Sequence, residues 1–290
     1  MKKILIIGLM IAILTIPAVS TTIAQDNESI INSSSREDFT HTVFVEYVTM
    51  TTCGPCVTAS AQLYSIFSAG DLDFNYVTLV ADEYIKNVYN RIKDLGVTAV
   101  PHMFFDGEYK NILGAQQTED VYRNAITLSG ERTVPDVDIS VSATLKGSGT
   151  IKFDVTVINH EAEEFNGILR VYIAEIESRW NDAGSNPYHY AALDIAMDKT
   201  LLLGKSSNVR PLDYTYSFSK TWFGSLYGFS DITADNIVVI AALYDPATRY
   251  ALQSAATEPT RDNNCFRLIM SLLAQRFANC YPNLSKILYL

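Results

Sequence analysis

The chain has 290 residues, which is long for one compact domain and favours two. Its composition, with 48% hydrophobic and 19% charged residues, is ordinary for a globular protein. A net charge of −10 without a basic cluster excludes nucleic acid as an expected partner.

The N-terminus has the pattern of a secretion signal. Lys2-Lys3 gives it a positive start, and an apolar run follows from Ile4 to Val19. We expect a signal peptide over residues 1–24 and a disordered polar leader over 25–40. An uncleaved membrane anchor is the alternative, although spanning a bilayer needs about 20 apolar residues. In both cases the rest of the chain is predicted to be extracytoplasmic, either secreted or attached to the cell surface.

The next segment, residues 41–131, is predicted to alternate between strands and helices. Alternating apolar residues predict the strands, and apolar residues at helical spacing followed by a glycine predict the helices. They are strands at 42–48 and 74–80, helices at 55–69 and 85–95, a hairpin around Asp106-Gly107, and a last helix to Ser129. The order is β-α-β-α-β-β-α, and the first two strands should be parallel because a helix joins them.

From residue 134 to 256 the pattern changes to short strands separated by polar turns. Strands are predicted at Val137–Leu145, Thr150–Asn159, Gly167–Glu175, Tyr188–Ala196, Leu212–Thr221, Ile237–Tyr244 and Tyr250–Ala255. No helix is predicted between them. About seven strands over this length favour an all-β, immunoglobulin-like sandwich.

Residues 257–290 are predicted to be a linker and an apolar C-terminal segment. Phe266–Leu290 carries few charges and is interrupted by Pro282, so it is too short to span a bilayer. It fits a helix docked on the sandwich, or a contact with the envelope or a membrane surface. We make no prediction for Cys265 and Cys280 in this region.

The chemistry of the chain is concentrated at Cys53-Gly54-Pro55-Cys56, where a predicted strand ends and a helix begins. Unpaired N–H groups and the helix dipole stabilise a thiolate there, which lowers the pKa of Cys53 and makes it a nucleophile. Cys56 lies one turn further on the apolar side of the helix. It is therefore shielded and suited to resolve a mixed disulfide formed by Cys53.

Two other interpretations of the cysteine pair stay open. A zinc site needs two further ligands at suitable spacing, and the sequence offers no second paired motif. A purely structural disulfide is the other alternative. We predict a redox-active pair without a metal or a cofactor.

A second element, Val100-Pro101, lies ahead of a predicted strand. A cis X–Pro bond at this place would turn the chain tightly and expose the backbone of Val100 beside the cysteines. Few X–Pro bonds are cis, so Pro101 becomes informative only in combination with the Cys pair and the predicted element order.

The Cys53–Cys56 motif, Val100-Pro101, Phe104-Phe105-Asp106-Gly107 and Leu113-Gly114-Ala115 resemble the thioredoxin family. The resemblance covers residues 42–129. It implies a thioredoxin-like α/β fold, with Cys53 as the attacking thiol, Cys56 as the resolving thiol, and a cis Pro101. It also implies substrate contacts at Thr52, Gly54, Pro55 and Val100. The two-part layout resembles exported thioredoxin-like proteins related to a bacterial outer-membrane protein family.

The sequence departs from the thioredoxin pattern at two positions. The family's Trp before the first Cys is Thr52 here, and its buried acid is replaced by Tyr47. Glu46, one residue earlier, is a candidate proton carrier for Cys56 if it is buried. Alternation along the strand, however, puts Glu46 on the opposite face from Tyr47, which favours an ordinary paired carboxylate.

These observations predict an extracytoplasmic thiol-disulfide oxidoreductase. Its partners would be protein thiols and disulfides of exported proteins, together with an unidentified redox partner. The alternative is a cell-surface binding or adhesion protein in which Cys53 and Cys56 form a static cross-link.

Overall fold

The computed structural model describes residues 39–204 and 214–261. The predicted signal peptide, residues 25–38 of the predicted leader, the start of the predicted strand at Leu212, and the segment with Cys265 and Cys280 lie outside these residues. The described elements are β1 (Val43–Thr49), α1 (Gly54–Ala69), β2 (Phe74–Val80), α2 (Lys86–Asp94), β3 (His102–Phe105), β4 (Lys110–Leu113), α3 (Asp120–Gly130), β5 (Val137–Lys146), β6 (Thr150–Asn159), β7 (Phe165–Asn181), β8 (Pro187–Leu203), β9 (Tyr214–Phe223), β10 (Ile237–Tyr244), β11 (Ala251–Thr257) and β12 (Thr260–Arg261).

The first seven elements follow the predicted β-α-β-α-β-β-α order. β1 pairs with β2 in parallel and with β3 in antiparallel orientation, and β4 pairs with β3. Pro55 lies at the start of α1, where a missing N–H costs no hydrogen bond, and Gly70 ends the helix in the left-handed region at φ 67°. Helix and strand boundaries here therefore follow from local sequence signals.

Helices cover both faces of this part of the sheet. α1 and α3 pack on one face, where Leu63 and Ile126 meet Val45 and Tyr47 of β1. α2 packs on the other face, against Phe44. Successive residues of β1 thus alternate between the two cores, although both faces of the strand are buried.

All of the predicted strands after residue 134 that fall in the described residues are present, but their pairing differs from a separate sandwich. β2 pairs with β8 in parallel at Thr78 and Ala191. This pairing joins strands of the first part of the chain (residues 41–131) and of the second part (residues 134–256) into one eight-stranded sheet. Its order is β11-β10-β7-β8-β2-β1-β3-β4. A second sheet, β12-β5-β6-β9, packs on β7, β8, β10 and β11 through an apolar core that includes Phe153 and Val171.

The structure does not confirm an independent immunoglobulin-like sandwich after the first part. The predicted boundary between residues 131 and 134 lies in the loop between α3 and β5, yet the large sheet is continuous across the two parts. β10 is buried along its whole length, and such strands give no sequence signal for which neighbour they pair with. The predicted division at 41–131 and 134–256 therefore stays a prediction.

Among the described residues, none of the helices combines the length and apolar character that crossing a membrane requires.

Candidate functional site

Cys53 and Cys56 lie at the junction of β1 and α1 and form a disulfide with an S–S distance of 2.06 Å. Cys53 is the N-cap residue of α1 and is half-buried, whereas Cys56 is fully buried. The first turn of α1 contains no acidic residue. When the pair is reduced, the helix dipole therefore favours a thiolate at Cys53, because that turn has no carboxylate to repel the negative charge.

The residues predicted to contact substrate lie around this disulfide. Thr52, Gly54 and Pro55 are all exposed. The Val100–Pro101 peptide bond is cis, as expected. His102 pairs with Val48 near the end of β1, so Pro101 lies at the same sheet edge from which the chain leads into Cys53.

The backbone of Val100 is open for pairing. Val100 is half-buried, and neither its N–H nor its C=O has a hydrogen-bond partner within residues 39–204 and 214–261. Unpaired backbone groups at the end of a strand can pair with an extended polypeptide segment. The local structure is therefore compatible with the role that the resemblance implies for Val100.

Asp82 anchors the loop that precedes Cys53, and no sequence pattern singled it out. The N–H of Thr51 donates to the two carboxylate oxygens of Asp82 at 3.0 and 2.9 Å, and its hydroxyl donates to Oδ2 at 2.6 Å. Because β1 and β2 are parallel, the turn after β2 that carries Asp82 lies at the sheet edge of the Cys pair. These bonds fix the backbone two residues before Cys53.

Three buried hydroxyl groups connect β1, α1 and β8 beneath the disulfide. The Tyr47 hydroxyl lies 3.0 Å from the carbonyl oxygen of Cys56 and 3.2 Å from Oγ1 of Thr49. Thr49 Oγ1 in turn lies 2.9 Å from the hydroxyl of Tyr188, which donates to the carbonyl of Met50 at 2.9 Å. This chain of contacts holds both the loop before Cys53 and the backbone of Cys56.

Burial keeps both tyrosines protonated. It raises the pKa of Tyr47 well above its usual value, and it raises the pKa of Tyr188 to about 12. Tyr47 occupies the position of the acid in the thioredoxin pattern, but at neutral pH it acts as a hydrogen-bonding group and not as a charged one. Tyr188 lies far from Tyr47 in the sequence, and no local pattern indicated that it belongs to the site.

The structure places Glu46, the candidate proton carrier for Cys56, on the side of the sheet away from that cysteine. Glu46 is fully buried, but it shares the face of the sheet with Phe44 and α2, opposite to α1 and Cys56. Arg91 donates to its carboxylate oxygens at 2.8 and 2.6 Å. Burial raises the pKa of Glu46, but the ion pair with Arg91 outweighs burial and lowers it. The alternative of an ordinary paired carboxylate is what the structure shows.

The described residues contain no cluster of three or more His, Cys, Asp or Glu side chains arranged to hold a metal ion. The candidate site therefore consists of the Cys53–Cys56 disulfide, the open backbone of Val100, and the hydrogen bonds from Asp82 and Tyr188 that fix the loop between β1 and α1.

Neither a family model nor a curated protein sequence matches this chain. Among solved structures, HBP35 of Porphyromonas gingivalis matches with a TM-score of 0.56 and 13% identity, covering 76% of each chain. A protein from Agrobacterium tumefaciens matches with a TM-score of 0.44 and 14% identity over 74% of this chain and 93% of that one. A domain of the outer membrane lipoprotein Omp28 from Porphyromonas gingivalis matches with a TM-score of 0.24 and 17% identity over 44% and 92%. The similarity to HBP35 is one of fold.

Proposed function

We propose that this protein is an extracytoplasmic thiol-disulfide oxidoreductase that exchanges disulfides in exported proteins. The observation that carries the proposal is the asymmetry of the cysteine pair. Cys53 is half-buried at the N-cap of α1, and Cys56 is fully buried within the helix. An attacking thiolate needs both access and stabilisation, whereas a resolving thiol needs only to reach its neighbour.

The exchange follows from these positions. In the reduced protein the Cys53 thiolate attacks one sulfur of a substrate disulfide and releases the other substrate sulfur as a thiolate, forming a mixed disulfide. Cys56 then loses its proton and attacks the Cys53 sulfur. The Cys53–Cys56 disulfide forms, the second substrate thiolate leaves, and the substrate has gained two electrons and two protons. Oxidation of a substrate dithiol is the same sequence in reverse.

The proposed location rests on the predicted signal peptide at residues 1–24. In an oxidising compartment the Cys pair can be kept as the disulfide that the structure shows. Exported proteins would supply the substrate thiols and disulfides, and a separate redox partner would reset the pair. Phe266–Leu290, which lies outside the described residues, is proposed to contact the envelope or a membrane surface.

The reduction potential of the Cys53–Cys56 pair tests the proposal. It is measured in glutathione or dithiothreitol buffers, with Cys53→Ser as the control that lacks the disulfide. We expect a value between about −270 and −120 mV, the range of exchange catalysts, and its position would separate a reductant from an oxidant. A value below about −300 mV with a slowly reacting Cys53 would instead indicate a structural disulfide, and would favour a surface binding or adhesion protein.

A further inference from the structure

The β7–β8 hairpin reaches from the second part of the chain to the Cys pair. β7 and β8 are 17 residues each, and β8 pairs with β2 of the first part. The hairpin tip, defined as residues 182–186, lies against the first turns of α1. A Cβ atom on Gly184 would lie 3.3 Å from Cγ1 of Val57, the residue that follows Cys56. The tip is therefore a direct neighbour of the cysteine motif.

Hydrogen bonds within the hairpin tip give it a fixed shape. Asp182 is buried, and its Oδ1 accepts from the N–H groups of Gly184 and Asn186 at 2.8 and 2.9 Å. The N–H of Asp182 donates to the carbonyl of Asn186 at 2.8 Å, and the N–H of Ser185 donates to the carbonyl of Asp182 at 3.0 Å. A loop closed in this way loses little conformational entropy when it binds a partner.

The position of the tip relative to the cysteines is also fixed. Tyr188, two residues after the tip, donates its hydroxyl hydrogen to the carbonyl of Met50 in the loop that leads to Cys53. The N–H of Cys53 donates to the same carbonyl group at 3.1 Å. A single carbonyl oxygen thus links the hairpin to the attacking cysteine.

The outer surface of the tip is exposed and uncharged. Ala183, Gly184, Ser185 and Asn186 are all exposed, and none of them carries a charge. Such a surface offers backbone groups, a hydroxyl and an amide to a ligand. These groups match the backbone of a polypeptide, which presents alternating donors and acceptors whatever its sequence.

Resting on the function proposed above, we infer that the hairpin tip is part of the binding surface for polypeptide substrates at the Cys pair. A polypeptide that brings its sulfur atom to Cys53 extends across the surrounding surface, and the tip borders that surface at Val57. A small thiol such as glutathione reaches the sulfur atoms without needing this surface. The tip therefore sets a preference for polypeptide over small-molecule substrates, without taking part in the exchange of sulfur bonds.

The experiment compares the two substrate classes on the full chain in its oxidised form. The Cys53–Cys56 disulfide is reacted with reduced, unfolded ribonuclease A or with reduced glutathione, and its loss is followed by alkylation. Ala183→Trp places bulk on the exposed surface of the tip. Ala247→Trp is the matched control, because Ala247 is also exposed, in the turn between β10 and β11. That turn lies beside Gly107, at the other end of β3 from Pro101.

For Ala183→Trp we expect a second-order rate constant with ribonuclease A about tenfold lower, because binding of the polypeptide is weakened, and an unchanged rate constant with glutathione. The Ala247→Trp variant should react with ribonuclease A and with glutathione at the same rate constants as the wild type. Asp182→Ala, which removes the bonds that close the tip, should show the same selective loss. Its control is Asp245→Ala, since the Asp245 carboxylate accepts from Ala247 N–H and the Thr248 hydroxyl at 2.8 and 2.9 Å.

Three results are distinguishable. A selective loss with the polypeptide supports the inference. Equal losses with both substrates, or no loss with either, would overturn it while leaving the proposed exchange activity in place. A wild-type protein that reacts with neither substrate would contradict the proposed function itself, and the inference with it.

Discussion

The guanidinium of Arg91 binds the carboxylate of Glu46 through hydrogen bonds of 2.8 and 2.6 Å, and both side chains are buried. The hydroxyl of Tyr172 donates a third bond to the same carboxylate at 2.7 Å. Arg91 lies on α2, Glu46 on β1 and Tyr172 on β7. The ion pair joins a helix to a strand of the first part of the chain, and the bond from Tyr172 joins both to a strand of the second part.

Replacing Glu46 by Gln leaves Arg91 buried without a counterion. We expect the Glu46→Gln variant to lose about 3–5 kcal/mol of its free energy of unfolding, measured by urea denaturation at pH 7. The Glu119→Gln variant is the control, because Glu119 forms a partly exposed i,i+4 pair with Arg123. Loss of that pair should change the free energy of unfolding only slightly, since water screens exposed pairs.

The pH dependence of the wild type follows from the lowered pKa of Glu46. The ion pair contributes its full stability above the pKa of Glu in the unfolded chain, about 4.3, and this contribution is lost as the pH falls through the lower folded value. Between those values the stability difference between wild type and Glu46→Gln should shrink. The reduction potential should be the same in both, because Glu46 faces away from α1. A changed potential would show that Glu46 influences the stability of the Cys53–Cys56 disulfide.

The hydroxyl of Tyr188 is the second interaction that we expect to be measurable. The Tyr188→Phe substitution removes the bonds to Met50 and Thr49, whereas the Met50 carbonyl keeps the bond from Cys53 N–H and Thr49 keeps its contact with the Tyr47 hydroxyl. The expected loss in free energy of unfolding is about 0.5–1.5 kcal/mol, with faster amide hydrogen exchange at Cys53. Tyr190→Phe is the control on the same strand, because its hydroxyl has no hydrogen bond among the described residues. Equal losses in both variants would show that the Tyr188 hydroxyl does not hold the loop.

The two cysteines should differ in reactivity once the disulfide is reduced. In a background with Cys265→Ser and Cys280→Ser, iodoacetamide should alkylate Cys53 at least about tenfold faster than Cys56, with a lower apparent pKa for Cys53. Cys53 is half-buried at the N-cap, and Cys56 is fully buried. Mass spectrometry of peptides after short exposures at several pH values measures both rates. Equal rates for the two thiols would contradict the assigned roles.

The sequence predicted those parts of the fold and site that depend on neighbouring residues. The Cys53–Cys56 motif, the turn at Asp106 and Gly107, and the strands β5 and β6 all depend on short sequence windows, and the structure contains each of them. The opposite orientation of Glu46 and Tyr47 also followed from strand alternation. Local patterns predict the type of element and the direction of its side chains, because backbone preferences and alternation depend on residues only a few positions apart.

The remaining features depend on contacts between distant residues. Tyr188 is 139 residues from Thr49, and Asp82 is 31 residues from Thr51. The pairing of β2 with β8 joins residues more than a hundred positions apart. Strands β7 and β10 are buried on both faces in their central regions, so their apolar residues fit several neighbours equally well. The merging of both parts into one sheet therefore had no signal in the sequence.

Gly107 offers a test of whether these two parts unfold together. Its φ of +66° lies in the left-handed region, and a Cβ atom there would overlap the backbone carbonyl oxygen of Arg249, which precedes β11. Gly114 also has a left-handed φ, +85°, but a Cβ on it would meet no atom within 4 Å. Gly107→Ala and Gly114→Ala thus share the backbone cost of a positive φ, and only Gly107→Ala adds the overlap.

We expect Gly107→Ala to lower the free energy of unfolding by about 1–3 kcal/mol more than Gly114→Ala, measured by urea denaturation. The strain acts on a contact between the β3–β4 turn and the segment before β11, so it couples the two parts of the chain. If the parts form one cooperative unit, circular dichroism and tyrosine fluorescence should report one coincident transition, shifted to lower urea. Two separate transitions, with only one shifted, would show that the shared sheet does not couple their unfolding.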